Sequence, residues 1–278
     1  MQTNEEIKNE VKKKYGQIAM QTKEQNSQSC CGVGDSCGTI DYSVFSDDYS
    51  KIKGYMPDAD LGLGCGLPTK FALINEGDTV LDLGSGAGND CFVARQIVGK
   101  EGKVIGLDFT ESMIEKARIN ADKLGYKNVE FRLGEIENMP IGGKSIDVIV
   151  SNCVMNLVPD KQKAFSEAFR VLVPGGHFSI SDIVLRGKLP ESFVKDAELW
   201  AGCVSGAMQM NEYLNLIEDA GFRNIKIQSE KKIDLPDEIF HNNFPKELVD
   251  EFKQSNTGVY SITVYAEKPT SDCGCSCC

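Results

Sequence analysis

The ten residues LDLGSGAGND (81–90) constrain the fold of this chain more than any others. An apolar strand pattern, TVLDL (79–83), runs into three alternating glycines, and a helical pattern, CFVARQIV (91–98), follows. Gly84, Gly86 and Gly88 permit a tight turn and let backbone N–H groups approach a ligand at a helix N-terminus. The dinucleotide spacing GxGxxG is not met, because Asn89 stands where the third glycine belongs. Asp108 closes the next strand pattern, KVIGLD (103–108), about twenty residues on, where a carboxylate can accept both hydroxyls of a ribose.

The alternation continues along the chain. NVEFRL (128–133), IDVIVS (146–151) and HFSISDIV (177–184) read as strands, with SMIEKARINADKLG (112–125) and DKQKAFSEAFRVL (160–172) as helices. Short strands alternating with helices predict an α/β fold: a Rossmann-like, mostly parallel sheet with helices on both faces. EYLNLIEDAGF (212–222), NIKIQSE (224–230) and YSITVYAEK (260–268) predict one more helix and two last strands. Residues 1–20 read as an amphipathic helix, and 21–40 and 57–68 as Gly-rich loops. Four regions are expected: an N-terminal helix with cysteine-bearing loops (1–66), the Rossmann-like domain (67–185), a C-terminal cap with the last strands (186–270), and a flexible tail, SDCGCSCC (271–278). Asp147 and the Pro174-Gly175-Gly176 turn into strand five read as fold features.

Composition removes several function classes. With 41 acidic against 30 basic residues the net charge is −11, so no basic face for nucleic acid is expected. No run of 18 apolar residues predicts a membrane span. The start, MQTNEEIKNEVKKKYG, lacks the apolar core of a secretory leader, which predicts a cytoplasmic protein. In that setting eleven cysteines point to metal, redox or catalytic chemistry rather than structural disulfides. Cys30, Cys31 and Cys37 cluster early; Cys65, Cys91, Cys153 and Cys203 stand singly; Cys273, Cys275, Cys277 and Cys278 crowd the tail.

LDLGSGAG, GLD (106–108), LGEIENMP (133–140), SIDVIVSN (145–152) and RVLVPGG (170–176), in that order, resemble the class I S-adenosylmethionine-dependent methyltransferases over about residues 77–230. The resemblance implies Asp82, Gly84, Gly86 and Gly88 near the methionine part of the cofactor. It implies Asp108 and Phe109 at the ribose, Ile136 and Glu137 near the adenine, and Asn152 beside the sulfonium.

Oxygen and nitrogen acceptors usually lose a proton during methyl transfer, so a nearby base helps. The chain has two histidines; His177 follows the PGG turn, and His241 lies in a polar late segment. Thiols stand at ligand-facing positions instead: Cys65 in a Gly-rich loop, Cys153 after the fourth strand, and Cys203 among small residues in LWAGCVSGAM. Cys91, inside a helix, reads as a small core hydrophobe. Three thiolates at one point suit a soft, three-coordinate acceptor such as trivalent arsenic, whose lone pair attacks a methyl group without losing a proton.

GLGCGLP, VLDLGSGAGNDCF, GEIENMP, SNCVMNLVPDK, RVLVPGG and AGCVSGA together resemble the arsenite methyltransferases over most of residues 1–230. That resemblance implies arsenite, or its thiol conjugates, held by Cys65, Cys153 and Cys203. It implies a further N-terminal cysteine in disulfide exchange, matched by Cys30 or Cys31, with thioredoxin or glutathione as the thiol reductant. Phe109 stands where many members carry methionine, and Asn89 where a bulkier residue is common. A monomer is expected, with methylated arsenicals as detoxification products. The tail reads either as an arsenite-capturing segment or as a dispensable end. Two other readings share the cofactor motifs: a methyltransferase for a small organic acceptor such as a quinone precursor, and a thiol-rich metal buffer on a vestigial fold.

Overall fold

The apolar runs that read as strands all lie in one sheet. The computed structural model describes residues 3–21, 48–187, 206–233 and 257–270. Within them β1 (Thr79–Leu83), β2 (Lys103–Asp108), β3 (Val129–Leu133), β4 (Ile146–Asn152), β5 (Leu172–Arg186), β6 (Arg223–Ile233) and β7 (Gly258–Glu267) form a seven-stranded sheet in the order β3-β2-β1-β4-β5-β7-β6. The first five strands are parallel; β7 runs antiparallel between β5 and β6. The winding direction reverses at β1 and β4, and a crevice is expected beyond their carboxyl ends.

Successive strand residues point to opposite faces, so a strand covered on both sides is apolar throughout. Val80, Val104 and Val148 pack with α3 (Asn89–Val98) and α4 (Glu111–Leu124), while their neighbours Leu81, Ile105 and Ile149 pack with α5 (Lys161–Val171) and α6 (Met210–Asp219). A short helix, α2 (Pro68–Phe71), precedes β1. This is the expected α/β architecture.

Helix α1 (Asn4–Ala19) begins at a capping box in which Thr3 and Glu6 satisfy each other's backbone N–H groups. It lies along α4: Lys12 pairs with Glu111 at 2.8 Å, and Lys116 Nζ donates to the carbonyl of Ala19 at 3.0 Å. Among the described residues no helix is long and apolar enough to cross a membrane.

One expectation is corrected. Pro174-Gly175-Gly176 is not a turn ahead of strand five but a bulge inside it. Pairing with β4 jumps from Ile146↔Leu172 to Val148↔His177. Proline has no N–H for the ladder, and the bulge is instead tied to the end of β7, with Gly175 N donating to Lys268 O at 2.9 Å and Lys268 N to Gly176 O at 2.8 Å. His177 therefore lies within β5, its Nε2 2.6 Å from Ala72 O and its ring 5.1 Å from that of Tyr265.

Candidate active site

The glycine loop crosses from β1 to the end of β2. Gly84 N and Ser85 N both donate to Leu107 O, at 2.8 and 3.0 Å. The Asp108 carboxylate is anchored beside them, accepting from Gly86 N at 3.0 Å and Thr110 N at 2.9 Å. Burial pushes its pKa above the usual carboxylate value. Gly84 has φ +68°, and a Cβ there would run into the Val154 side chain. Gly86 is the opposite case: the nearest atom to a Cβ would be Met113 Sδ at 4.0 Å, so the space above it is open. Both line a cleft with Asp82, Asp108, Asn152 and Cys153, while Gly88 sits behind the wall as the left-handed N-cap of α3.

Phe109, Ile136 and Glu137 form one end of this cleft, and α1 closes over it with Lys8, Val11 and Tyr15. Lys8 Nζ is 2.7 Å from both Glu135 Oε2 and Glu137 Oε2. The amphipathic helix was legible in the sequence, its place in the site was not. The available signal was the spacing of Lys8, Val11 and Tyr15, which puts them on one helical stripe.

The lining is also acidic, with Asp60, Asp82 and Asp90 in it. Burial, reinforced by Asp90, holds Asp82 well above the ordinary carboxylate range, and burial pushes Asp90 up to about 6. Cys91 is buried in the core as expected, but its Sγ also donates to Asp82 Oδ2 at 3.2 Å, and burial pushes its thiol pKa up. Among the described residues no lysine or arginine forms an ion pair with Asp82 or Asp90. Buried carboxylates without a cationic partner suit a ligand that brings its own positive charge.

The thiols come next. Cys153 leaves the end of β4 at φ +62°, a region few non-glycine residues occupy, and its N donates to Ser181 O at 2.8 Å. It is 6% exposed, and Cys65 is 2% exposed. Cys65 does not line the cleft; it lies in the loop behind Asn152, its N donating to Asn152 Oδ1 at 2.9 Å and its carbonyl accepting from Ser261 Oγ at 2.5 Å. Tyr213 donates to the buried Asp182 at 3.4 Å. Burial, and then Asp182, raise its phenol pKa well above the ordinary value. Cys65, Cys91 and Cys153 carry no disulfide. Cys30, Cys31, Cys203, His241 and the tail cysteines lie outside the described residues.

Comparison with known proteins bears on this arrangement. A family described as a methyltransferase domain matches residues 74–221. An arsenite methyltransferase of Halobacterium salinarum is 41% identical over 287 residues, covering 96% of this chain and 68% of that protein. An arsenite methyltransferase of Homo sapiens is 34% identical over 226 residues, covering 78% of this chain and 58% of that protein. The chain thus spans about two thirds of the archaeal relative's length and less of the human one. The crystal structure of an arsenic(III) S-adenosylmethionine methyltransferase from Chlamydomonas reinhardtii superposes with a TM-score of 0.63 at 35% identity, covering 82% of this chain and 74% of that one.

Proposed function

Because the chain belongs to the arsenite methyltransferases, we propose that it transfers methyl groups from S-adenosylmethionine to trivalent arsenic held by its own cysteine thiolates. The cleft suits that cofactor. Among the described residues Ser85 Oγ is buried beside it with no hydrogen-bond partner and no lysine or arginine forms an ion pair with Asp82 or Asp90, and the space over Gly86 is open. In this reading Asp108 and Phe109 take the ribose, Ile136 and Glu137 border the adenine, and Asp82 with Gly84 and Gly86 faces the methionine end. Gly88 shapes the loop behind them.

The bound cofactor supplies an electrophilic methyl group on a cationic sulfur. The chain's part is positioning. Cys65, Cys153 and Cys203 displace the hydroxides of arsenite as water and leave arsenic pyramidal, with one lone pair. That pair forms the new As–C bond as the C–S bond breaks, and no proton departs. This explains why no histidine or free carboxylate needs to stand at the transfer point.

The transfer takes arsenic formally from As(III) to As(V). A thiolate from Cys30 or Cys31 attacks one arsenic-bound cysteine sulfur; the new disulfide carries away the oxidation, and arsenic recovers its electron pair. Thioredoxin or glutathione then reopens the disulfide by exchange.

The observation that carries the proposal is that one residue of the cleft wall, Asn152, joins two buried cysteines: it accepts from the N–H of Cys65 and directly precedes Cys153, which lines the cleft. The test is to incubate the full chain with arsenite, S-adenosylmethionine and a thiol reductant, then separate arsenic species by chromatography with elemental detection. Methylated arsenic from the wild type and none from Cys153→Ser is the expected result. No methylated arsenic with cofactor binding intact would overturn it and favour a small organic acceptor.

A further inference from the structure

Asn152 makes more contacts than a cofactor wall needs. Its Oδ1 accepts from Cys65 N at 2.9 Å, and its Nδ2 donates to the next carbonyl, Gly66 O, at 2.8 Å. One planar amide thus grips the backbone on both sides of Cys65. The orientation of the amide is itself held. Tyr49 OH accepts from Nδ2 at 2.7 Å while lying 2.9 Å from Asp90 Oδ1, and Asp90 Oδ2 is 3.3 Å from the same nitrogen. Gly66 O and Asp90 Oδ2 can only accept and Cys65 N can only donate, so a flipped amide would lose those three bonds at once, keeping at most the one to the Tyr49 hydroxyl.

The loop is built to be gripped this closely. A Cβ on Gly64 would stand 2.6 Å from Asn152 Nδ2, so any side chain there would push the Cys65 loop away. On its other side Asn152 precedes Cys153 directly, and Cys153 is fixed by its bond to Ser181 O.

We propose that Asn152 is a positioning residue that sets the spacing between the Cys65 and Cys153 thiols before arsenic arrives, with Tyr49 and Asp90 fixing its amide. Its meaning for catalysis rests on the thiol-cage reading above. Arsenic would otherwise have to order a free loop on binding, and that ordering weakens affinity.

The test uses dibromobimane, a short reagent that bridges two thiols, on the full reduced chain. The Cys65–Cys153 cross-linked peptide is quantified against time by mass spectrometry, alongside the alkylation rate of each thiol by a monofunctional bimane. In Asn152→Ala the bridging rate should fall at least tenfold while neither single-thiol rate falls, a pattern that a general loss of packing does not produce. Tyr49→Phe leaves every atom of Asn152 in place and should lower bridging about threefold; it carries the test if Asn152→Ala does not fold. Bridging within twofold of wild type in the folded variants would overturn the proposal. No arsenic takes part, so a chain that failed to methylate arsenite would leave this outcome readable.

Discussion

Lys8 Nζ lies 2.7 Å from Glu137 Oε2, and that carboxylate side chain is only 7% exposed. A helix at the start of the chain is therefore pinned to the far end of the cleft by an ion pair that is largely withdrawn from water. Removing the lysine leaves Glu137 with Asp160 N, which donates at 3.2 Å, and without a cation. Lys8→Ala is expected to raise KM for S-adenosylmethionine about tenfold, equivalent to about 1.4 kcal/mol, with a smaller change in kcat. Steady-state kinetics at two salt concentrations check this, and an unchanged KM would separate α1 from cofactor binding.

Two glycines of one loop should fail in different ways. Gly84→Ala forces a side chain onto Val154 at a positive φ, so it should lower stability by about 2 kcal/mol or more. Gly86→Ala meets nothing but Met113 Sδ at 4.0 Å, and its φ of +51° costs about 1 kcal/mol. It should nonetheless abolish most cofactor binding, because its methyl enters open space in the cleft. Thermal melts paired with isothermal titration distinguish the two; equal losses of stability would contradict the difference in surroundings.

Asp182 is wholly buried, and burial pushes its pKa up to about 7, offset in part by its own Ile183 N–H, by Lys161 and by Tyr213. A carboxyl raised in the folded state holds a proton that the unfolded chain releases. Its contribution to stability is complete below about pH 4 and is lost as pH rises through 7. Asp182→Asn should therefore gain on the wild type across that window, by a few kcal/mol at most, and the gain should level off above pH 7. Urea titrations at pH 5, 7 and 8 measure it. A difference that does not grow with pH would mean the carboxyl is not protonated in the fold.

Cys91 and Cys153 are both buried single thiols, yet they face different partners. Cys91 donates to Asp82, a bond a hydroxyl can replace. Cys91→Ser should keep arsenite methylation within about threefold, whereas Cys91→Ala strips the buried carboxylate of a donor and should weaken cofactor affinity severalfold. Cys153→Ser should abolish methylation at unchanged cofactor affinity. Loss of methylation in Cys91→Ser would place that thiol in the chemistry instead.

What could be read along the chain was governed by neighbours in sequence. Residues 79–83 and 103–108 matched β1 and β2 end to end because strands covered on both faces are near-continuous apolar runs, broken here only by the residues at or next to their ends. The loop between β1 and α3 was legible because its turn needs glycine, and Asp108 because it closes a strand beside that loop. The residue type of Cys153 and its place at a strand end were equally plain. What only the tertiary structure decided is how distant pieces meet. Lys8 reaches Glu137, Asn152 grips a loop 87 residues earlier, and Pro174-Gly175-Gly176 becomes a bulge because Lys268 binds it. Local sterics and hydrophobic periodicity act over a few residues and are written there. A polar side chain has many possible partners along the chain, and which one it meets is settled when the packed sheet brings distant segments together.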